Sequence, residues 1–469
     1  MRKLLSVLLA LVMILGLCAC SSGEQAKEYQ GLQVGYSRVN ITPDYAVQLA
    51  GGAATRISEG YQDYLYLTCI AIREAGQTYL IGTMDFICAE DVFVDPAKAL
   101  ISETTGIPQE NIMLNATHTH ASAAIRSDGS ENVDRYRKEF FGWAEQAAVE
   151  AVADLSPAEV YFGSTHTEGM AFVRHYKLSN GSYAGPNFGD FSSASIEGHT
   201  EEADTELQLI KFARAAEDKK DIVLMNFPAH ATMNQSDTTL SADFPSPARQ
   251  YIEENTDTLV AYFIAAAGNQ VPSSRIASES FSKDYQVYGA ELGRIAVEVM
   301  GNLTKVESTG LSFNSKEYTG KYIKEGIERL ADAKAVQTVW DVVGRGTAEG
   351  KAAAKEHGFE SVYEVSAVLT RAKAEETNSM VIKTFAIGDV GFIFAPYEMF
   401  GSEGMYIKEN SPYPMTFVIT CAEGAEGYLP NAMGFEIGSY ESHVTRFERG
   451  TAEKVAQEFV SMLTEMKAQ

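Results

Sequence analysis

From residue 64 onward, hydrophobic positions recur at two spacings, every second residue in some runs and every third or fourth in others. Residues 64–73 and 78–88 are β-rich runs joined by Glu74-Ala75-Gly76-Gln77, which predicts a hairpin. A helix is predicted over 96–105, ending before Gly106, and a short apolar strand over 111–115. Within 132–155, Val133, Tyr136, Phe140, Trp143, Ala147 and Ala151 form the stripe of a long amphipathic helix. Strands follow near 159–163, 207–212 and 222–227, then a helix after Asp243, a strand over 258–265 and a second long helix over about 284–303. Residues 322–375 are rich in Ala, Lys and Glu and read as helical. A second hairpin is predicted from 381–387 and 391–394 around Gly388-Asp389-Val390, and a last helix over 451–467. Strands mixed with covering helices predict an α/β (mixed α+β) fold of mixed β-sheets covered by helices, as a single large domain over 31–469.

The N-terminus follows a different pattern. Met1-Arg2-Lys3 is basic and residues 4–17 are nearly all apolar. As a helix that run covers about 21 Å, short of the roughly 30 Å hydrocarbon core, so it reads as a signal segment and not a span. Leu17-Cys18-Ala19-Cys20 resembles a bacterial lipobox, with Cys20 behind the small Ala19 as the lipidated residue. The expectation is a lipoprotein signal peptide over 1–20 and a polar tether over 21–30. The protein would then be lipid-anchored on the extracytoplasmic face of a bacterial cell membrane.

Charge narrows the partners. The chain has 38 basic and 63 acidic side chains, a net charge of −25. Such a surface repels phosphate backbones, which excludes nucleic acid and favours a neutral, zwitterionic or apolar small molecule. Beyond the leader, Cys69, Cys88 and Cys421 are odd in number, and the first two lie in apolar surroundings, so free buried thiols are expected.

Chemistry concentrates in the histidines, of which there are eight. Thr117-His118-Thr119-His120 follows directly on the strand ending at Asn115. In extended chain, residues i and i+2 share a face, so both imidazoles would converge at the strand's C-terminal end, where open sheets build sites. Metal binding or catalysis and plain backbone-bonded polar histidines both satisfy that pattern. His230 stands at a similar exit, after the strand 222–227 and Pro228-Ala229.

Several segments together resemble the neutral/alkaline (non-lysosomal) ceramidase family. They are Gly35-Tyr36-Ser37-Arg38-Val39-Asn40-Ile41-Thr42-Pro43 with Leu49-Ala50-Gly51-Gly52; Asn115-Ala116-Thr117-His118-Thr119-His120; Phe227-Pro228-Ala229-His230 with Ser241-Ala242-Asp243-Phe244-Pro245; Ala395-Pro396-Tyr397-Glu398; and Gly427-Tyr428-Leu429-Pro430 with Gly438-Ser439-Tyr440-Glu441. The resemblance runs in order from about residue 33 to 450. It implies zinc held by His118, His230, Glu398 and Tyr428 at strand or loop ends. It also implies His120 beside the substrate or the attacking water, an active-site Arg174, and Tyr440 as a donor to the oxyanion. Glu398 follows an apolar run, where an unpaired carboxylate is costly, so a metal or arginine partner is expected from the residues themselves.

The chain departs from the family at three places. Val173 precedes Arg174 where relatives have Asn. Asn269 and Val271 replace the aspartate and the functional serine of the family's Gly-Asp-Val-Ser-Pro type segment, with Ser273 and Ser274 displaced beyond Pro272 and no evident base nearby. The family's C-terminal immunoglobulin-like domain is expected to be missing. The expected function is a zinc-dependent hydrolase of the amide bond in N-acylsphingosine (ceramide) or a related N-acyl lipid amide. A non-catalytic lipid- or small-molecule-binding lipoprotein, and a zinc esterase or peptidase, are the alternatives.

Overall fold

The computed structural model describes residues 29–52, 54–126 and 130–468; the expected signal segment, Cys20 and most of the expected tether lie outside the described residues. Two sheets lie face to face, and helices cover both outer sides. The larger sheet runs β8-β7-β6-β5-β1-β2-β3-β4, where β1 is Gln33–Asn40, β2 Tyr66–Glu74, β3 Gln77–Met84, β4 Ile112–Ala116, β5 Ser156–His166, β6 Glu206–Arg214, β7 Asp221–Phe227 and β8 Thr258–Ile264. Within it β3 pairs parallel with β4 and β7 with β8; the other neighbours are antiparallel. The smaller sheet is β9 (Leu311–Lys321), β10 (Thr377–Ile387), β11 (Val390–Phe394) and β12 (Met415–Ile419), with β11 and β12 parallel. The mixed α/β class expected from the pattern is what the chain adopts.

Strand alternation sorts the core into layers. On β2, Ile70 and Ile72 face the second sheet and meet Phe385, Phe392 and Phe417, while Cys69 and Ala71 face the helices. Those helices are α1 (Asp91–Thr105), α2 (Glu131–Ala153), α3 (Pro245–Asn255) and α4 (Tyr285–Met300), contributing Phe93, Phe140, Ile252 and Leu292. A separate cluster is built by α5 (Leu330–Val343), α6 (Ala348–Glu356) and α7 (Val362–Arg371), around Val336, Trp340 and Val365. Beyond the smaller sheet lie α8 (Gly401–Asn410) and α9 (Thr451–Lys467), which bury Ile407, Phe459 and Met462.

The first predicted hairpin closes at Glu74 and Gln77, with Ala75 at φ 49° and Gly76 at φ 79°, the left-handed pair a two-residue turn requires. Helix α1 begins at Asp91, earlier than the predicted start, and carries Pro96 inside it. The region 322–375 is three helices with irregular connections.

The exits of β4, β7, β8 and β12 are tied together at one end of the two sheets. Ala116 N donates to Cys421 O (3.0 Å), Thr420 N to Ile264 O (3.2 Å) and Ala265 N to Phe227 O (3.0 Å). The loops that leave there build the site.

Candidate metal centre and cavity

Past the end of β4 the ladder continues for two bonds, Thr117 N to Met84 O (2.8 Å) and His118 N to Phe86 O (2.9 Å). His118 then takes φ 65°, a left-handed conformation that a β-carbon resists. The turn is clamped from behind: Thr117 Oγ1 donates to Asp85 Oδ1 (3.2 Å), and the fully buried Asp85 pairs with Arg249 (2.8 Å). This corrects the extended-strand expectation for the two histidines. The chain turns at His118, and the imidazoles of His118 and His120 still converge, their Nε2 atoms 3.3 Å apart.

His230 leaves β7 through Pro228-Ala229, with its backbone N–H on Gln270 O (3.1 Å). Its Nδ1 lies 2.6 Å from Ala267 O, and Nδ1 of His118 lies 2.6 Å from Ile87 O. A carbonyl only accepts, so both Nδ1 atoms carry protons, and in the neutral ring of each the Nε2 atom presents a lone pair. The ligand atoms of His118, His120 and His230 all lie within 4.8 Å of one another, a group that can hold a metal ion.

Glu398 completes the arrangement. Its Oε2 is 3.3 Å from Nε2 of His118 and 3.3 Å from Nε2 of His230. His230 Nε2 and Glu398 Oε2 are buried and make no hydrogen bond. Two imidazole lone pairs facing a carboxylate oxygen repel unless positive charge lies among them. Imidazole nitrogen with carboxylate oxygen is the donor set of a catalytic zinc or similar divalent ion, so the residues fit the metal that the sequence implied. Tyr428 is the cross-strand partner of Glu398 in a short parallel pair, and its ring stacks against that of His230 at 6.4 Å and 17°. Gly268 makes the close approach possible, because a β-carbon there would stand 2.3 Å from Glu398 O.

Burial and mutual charge set the protonation of the group. Burial lowers the His230 pKa to about 4, helped by His118 and Arg174, and lowers His120 well below its usual value, helped by His118 and His230. Burial also opposes charge on His118, but Cys421 and the Glu398 carboxylate outweigh it and raise the pKa. Burial works against ionised Glu398, yet the facing imidazoles hold it well below the carboxylate range. Burial and then Glu398 keep the Tyr428 phenol far above its ordinary value, so a cation is needed to make it a phenolate ligand.

Arg174 is buried in the cavity wall. Its guanidinium pairs with the fully buried Glu441 at 2.5 Å, donates to Gly268 O (2.9 Å) and lies 5.5 Å from the Tyr428 ring. Glu441 also accepts from His175 Nε2 at 2.8 Å. Tyr440 packs edge-on against Tyr428, ring centroids 5.6 Å apart, and burial keeps its phenol protonated. The structure thus gathers His118, His120, Glu398, Tyr428, Arg174 and Tyr440 around one cavity of about 1310 Å³, with His230 buried behind its wall against Glu398 and Tyr428. Gly51, at φ 74°, lines the same cavity, and a β-carbon on it would press on His120 Nδ1 at 2.8 Å.

Sequence reasoning missed Glu441 and Gln270. Glu441 follows Tyr440 in a polar segment, where only burial reveals that it fixes an arginine. Gln270 donates from Nε2 to Pro228 O (2.7 Å) and Asp204 O (2.9 Å), which fastens the loop carrying His230. Asn269, at the family's aspartate position, accepts from Gly401 N (2.9 Å) and so has a structural partner. Val271 lines the cavity. Ser273 and Ser274 do not line it; Ser274 Oγ lies 3.3 Å from His199 Nε2, so the expectation of no base nearby is corrected. That imidazole engages Glu279 through the same nitrogen (2.9 Å), which is not the geometry of a relay. The three cysteines among the described residues are free, and Cys421 Sγ sits 3.6 Å from His118 Nδ1.

No protein-family model matches the chain, and no curated protein sequence matches it significantly. Its similarity is to solved structures. The neutral ceramidase from Pseudomonas aeruginosa superposes with a TM-score of 0.69 at 17% identity, over 94% of this chain and 75% of that one. A structure described as ceramidase complexed with C2 gives a TM-score of 0.69 at 16% identity, over 94% of this chain and 76% of the other. The class defined by fold and site is a mixed α/β sandwich with a histidine group able to hold a metal at its strand ends. More particularly, the fold is neutral ceramidase-like.

Proposed function

We propose that this protein is a zinc-dependent hydrolase cleaving the amide bond of N-acylsphingosine or another N-acyl lipid amide. The observation that carries the reading is the convergence of His118 Nε2, His230 Nε2 and Glu398 Oε2, the last two without a hydrogen bond, on a neutral ceramidase-like fold. His118, His230 and Glu398 would hold the ion, with Tyr428 as a fourth ligand on the family's pattern. When bound, zinc supplies Lewis acidity at the amide carbonyl and lowers the pKa of water.

The remaining steps belong to the chain's own side chains. His120 is neutral at physiological pH and can take the proton shed by attacking water, then return it to the departing amine. Tyr440 keeps its phenolic proton and can donate it in a hydrogen bond to the oxyanion. Arg174 keeps its charge under all working conditions and, fixed by Glu441, places it beside Tyr428. None of these roles uses a serine, so Val271 is compatible with hydrolysis.

Side-by-side assays of N-acylsphingosine, short N-acyl amides and acyl esters, with chelator and with zinc restored, test the proposal. Chelator-sensitive turnover of an amide that falls at least about a hundredfold in His118→Ala is expected. Stoichiometric zinc with no turnover of any substrate would instead favour a binding lipoprotein, and turnover of esters alone an esterase. We also propose that a lipid on Cys20 holds the protein to the extracytoplasmic face of the membrane. Cys20→Ala should then move it from the membrane fraction to the soluble fraction, and unchanged partitioning would refute the anchor.

A further inference from the structure

Most charged side chains of the cavity wall are already neutralised. Glu90 holds Arg126 at 2.8 Å, Glu441 holds Arg174 at 2.5 Å and Glu426 holds Arg446 at 3.4 Å. Glu398 faces the imidazoles. Arg345 is left over: it lines the cavity, and among the described residues it pairs with no carboxylate. Its Nη1 reaches only Ser366 Oγ, at 3.4 Å, and its guanidinium lies over the Tyr363 ring at 5.4 Å. The side chain is half-buried, in the turn between α5 and α6.

Its position relative to the metal centre is given by a run of ring contacts. Tyr363 meets Tyr440 at 5.4 Å, Tyr440 meets Tyr428 at 5.6 Å, and Tyr428 stacks on His230 at 6.4 Å. One aromatic wall therefore joins the histidines to the unpaired cation. A substrate lying along this wall with its amide at the histidines would reach Arg345 with its far end.

We infer that Arg345 binds a single anionic group, a carboxylate or sulfonate, separated by an apolar spacer from the amide that is cleaved. The inference deepens the amide-hydrolase reading and rests on it. A guanidinium stacked on an aromatic face keeps its N–H edge free, and that edge matches two anionic oxygens at once. The net charge of −25 disfavours polyanions, while one uncompensated cation suits one anion.

The test uses the zinc-loaded protein and N-acetyl derivatives of ω-amino acids with about six, eight and twelve carbons, each compared with its neutral primary carboxamide. At the best-fitting spacer the acid should exceed the carboxamide at least about tenfold in kcat/KM, through KM, the range of one charge-assisted hydrogen bond. Arg345→Gln should bring that ratio to about one and Arg345→Glu below one, with unchanged circular dichroism. Arg294→Gln, which alters a half-buried arginine already paired with Glu291, should keep the preference. A wild-type ratio near one at every spacer, or a preference that survives in Arg345→Gln, overturns the inference. If neither compound is cleaved, turnover of N-acylsphingosine assayed in parallel decides the hydrolase reading separately. Calorimetric binding of the twelve-carbon acid then decides: an affinity about tenfold weaker in Arg345→Gln supports the anion site, and equal affinities overturn it.

Discussion

Glu398 Oε2 stands 3.3 Å from His230 Nε2, and neither atom makes a hydrogen bond. With Nδ1 of His230 committed to Ala267 O, both facing atoms carry lone pairs, an arrangement that only a cation relieves. Glu398→Gln puts an amide N–H where the carboxylate oxygen was, able to donate to His230. The metal-free variant should therefore melt no lower than the metal-free parent, while its zinc affinity falls by more than about tenfold. Competition with a chromogenic chelator measures the affinity; an unchanged value would remove Glu398 from the centre.

Arg174 depends on Glu441. Both are buried, and the carboxylate lies well below its usual pKa range because His175 and Arg174 offset its burial. Glu441→Gln leaves a buried guanidinium without its counter-ion, and denaturant unfolding should show a loss of about 3–5 kcal/mol.

Ser274 lies outside the cavity beside His199, whereas Val271 occupies the cavity wall. Ser274→Ala should change amide turnover by less than about twofold, the range of a substitution with no role in the site. A loss comparable to that of His118→Ala would move the chemistry to the Ser274–His199 pair.

Much of this site was legible in the sequence because its ligands sit at strand exits. His118 and His230 each follow a short apolar strand, and Glu398 follows the run ending at Pro396. Convergence of the first two histidines was anticipated for the wrong local reason, since the left-handed turn at His118 is dictated by tertiary bonds to Phe86 and Ile87. Three of the twelve strands labelled in the two sheets escaped prediction. β1 mixes Gly35, Ser37 and Arg38 among its apolar residues, β9 is a polar edge strand, and β12 is a short, wholly buried run with no alternation. Glu441 was hidden because sequence pattern gives no sign that a carboxylate in a polar segment is buried.

Glu403 on α8 offers a pH signature away from the site. Burial raises its pKa to about 8, with Glu453 and Glu201 adding to the effect. The folded state therefore retains a proton that the unfolded state has released, so this group's stabilising contribution is full below the unfolded value near 4.5 and is lost as pH rises through about 8. Thermal melts should show Glu403→Gln close to the parent at pH 5 and more stable than it at pH 8.5, by on the order of a few kcal/mol. Equal pH slopes for the two proteins would refute this assignment.

The most direct test of the metal centre is anomalous diffraction from zinc-loaded crystals, collected on both sides of the zinc absorption edge. The account predicts one strong peak bounded by His118 Nε2, His230 Nε2 and Glu398, present above the edge and gone below it. No peak there, or a peak at some other cluster, would contradict it.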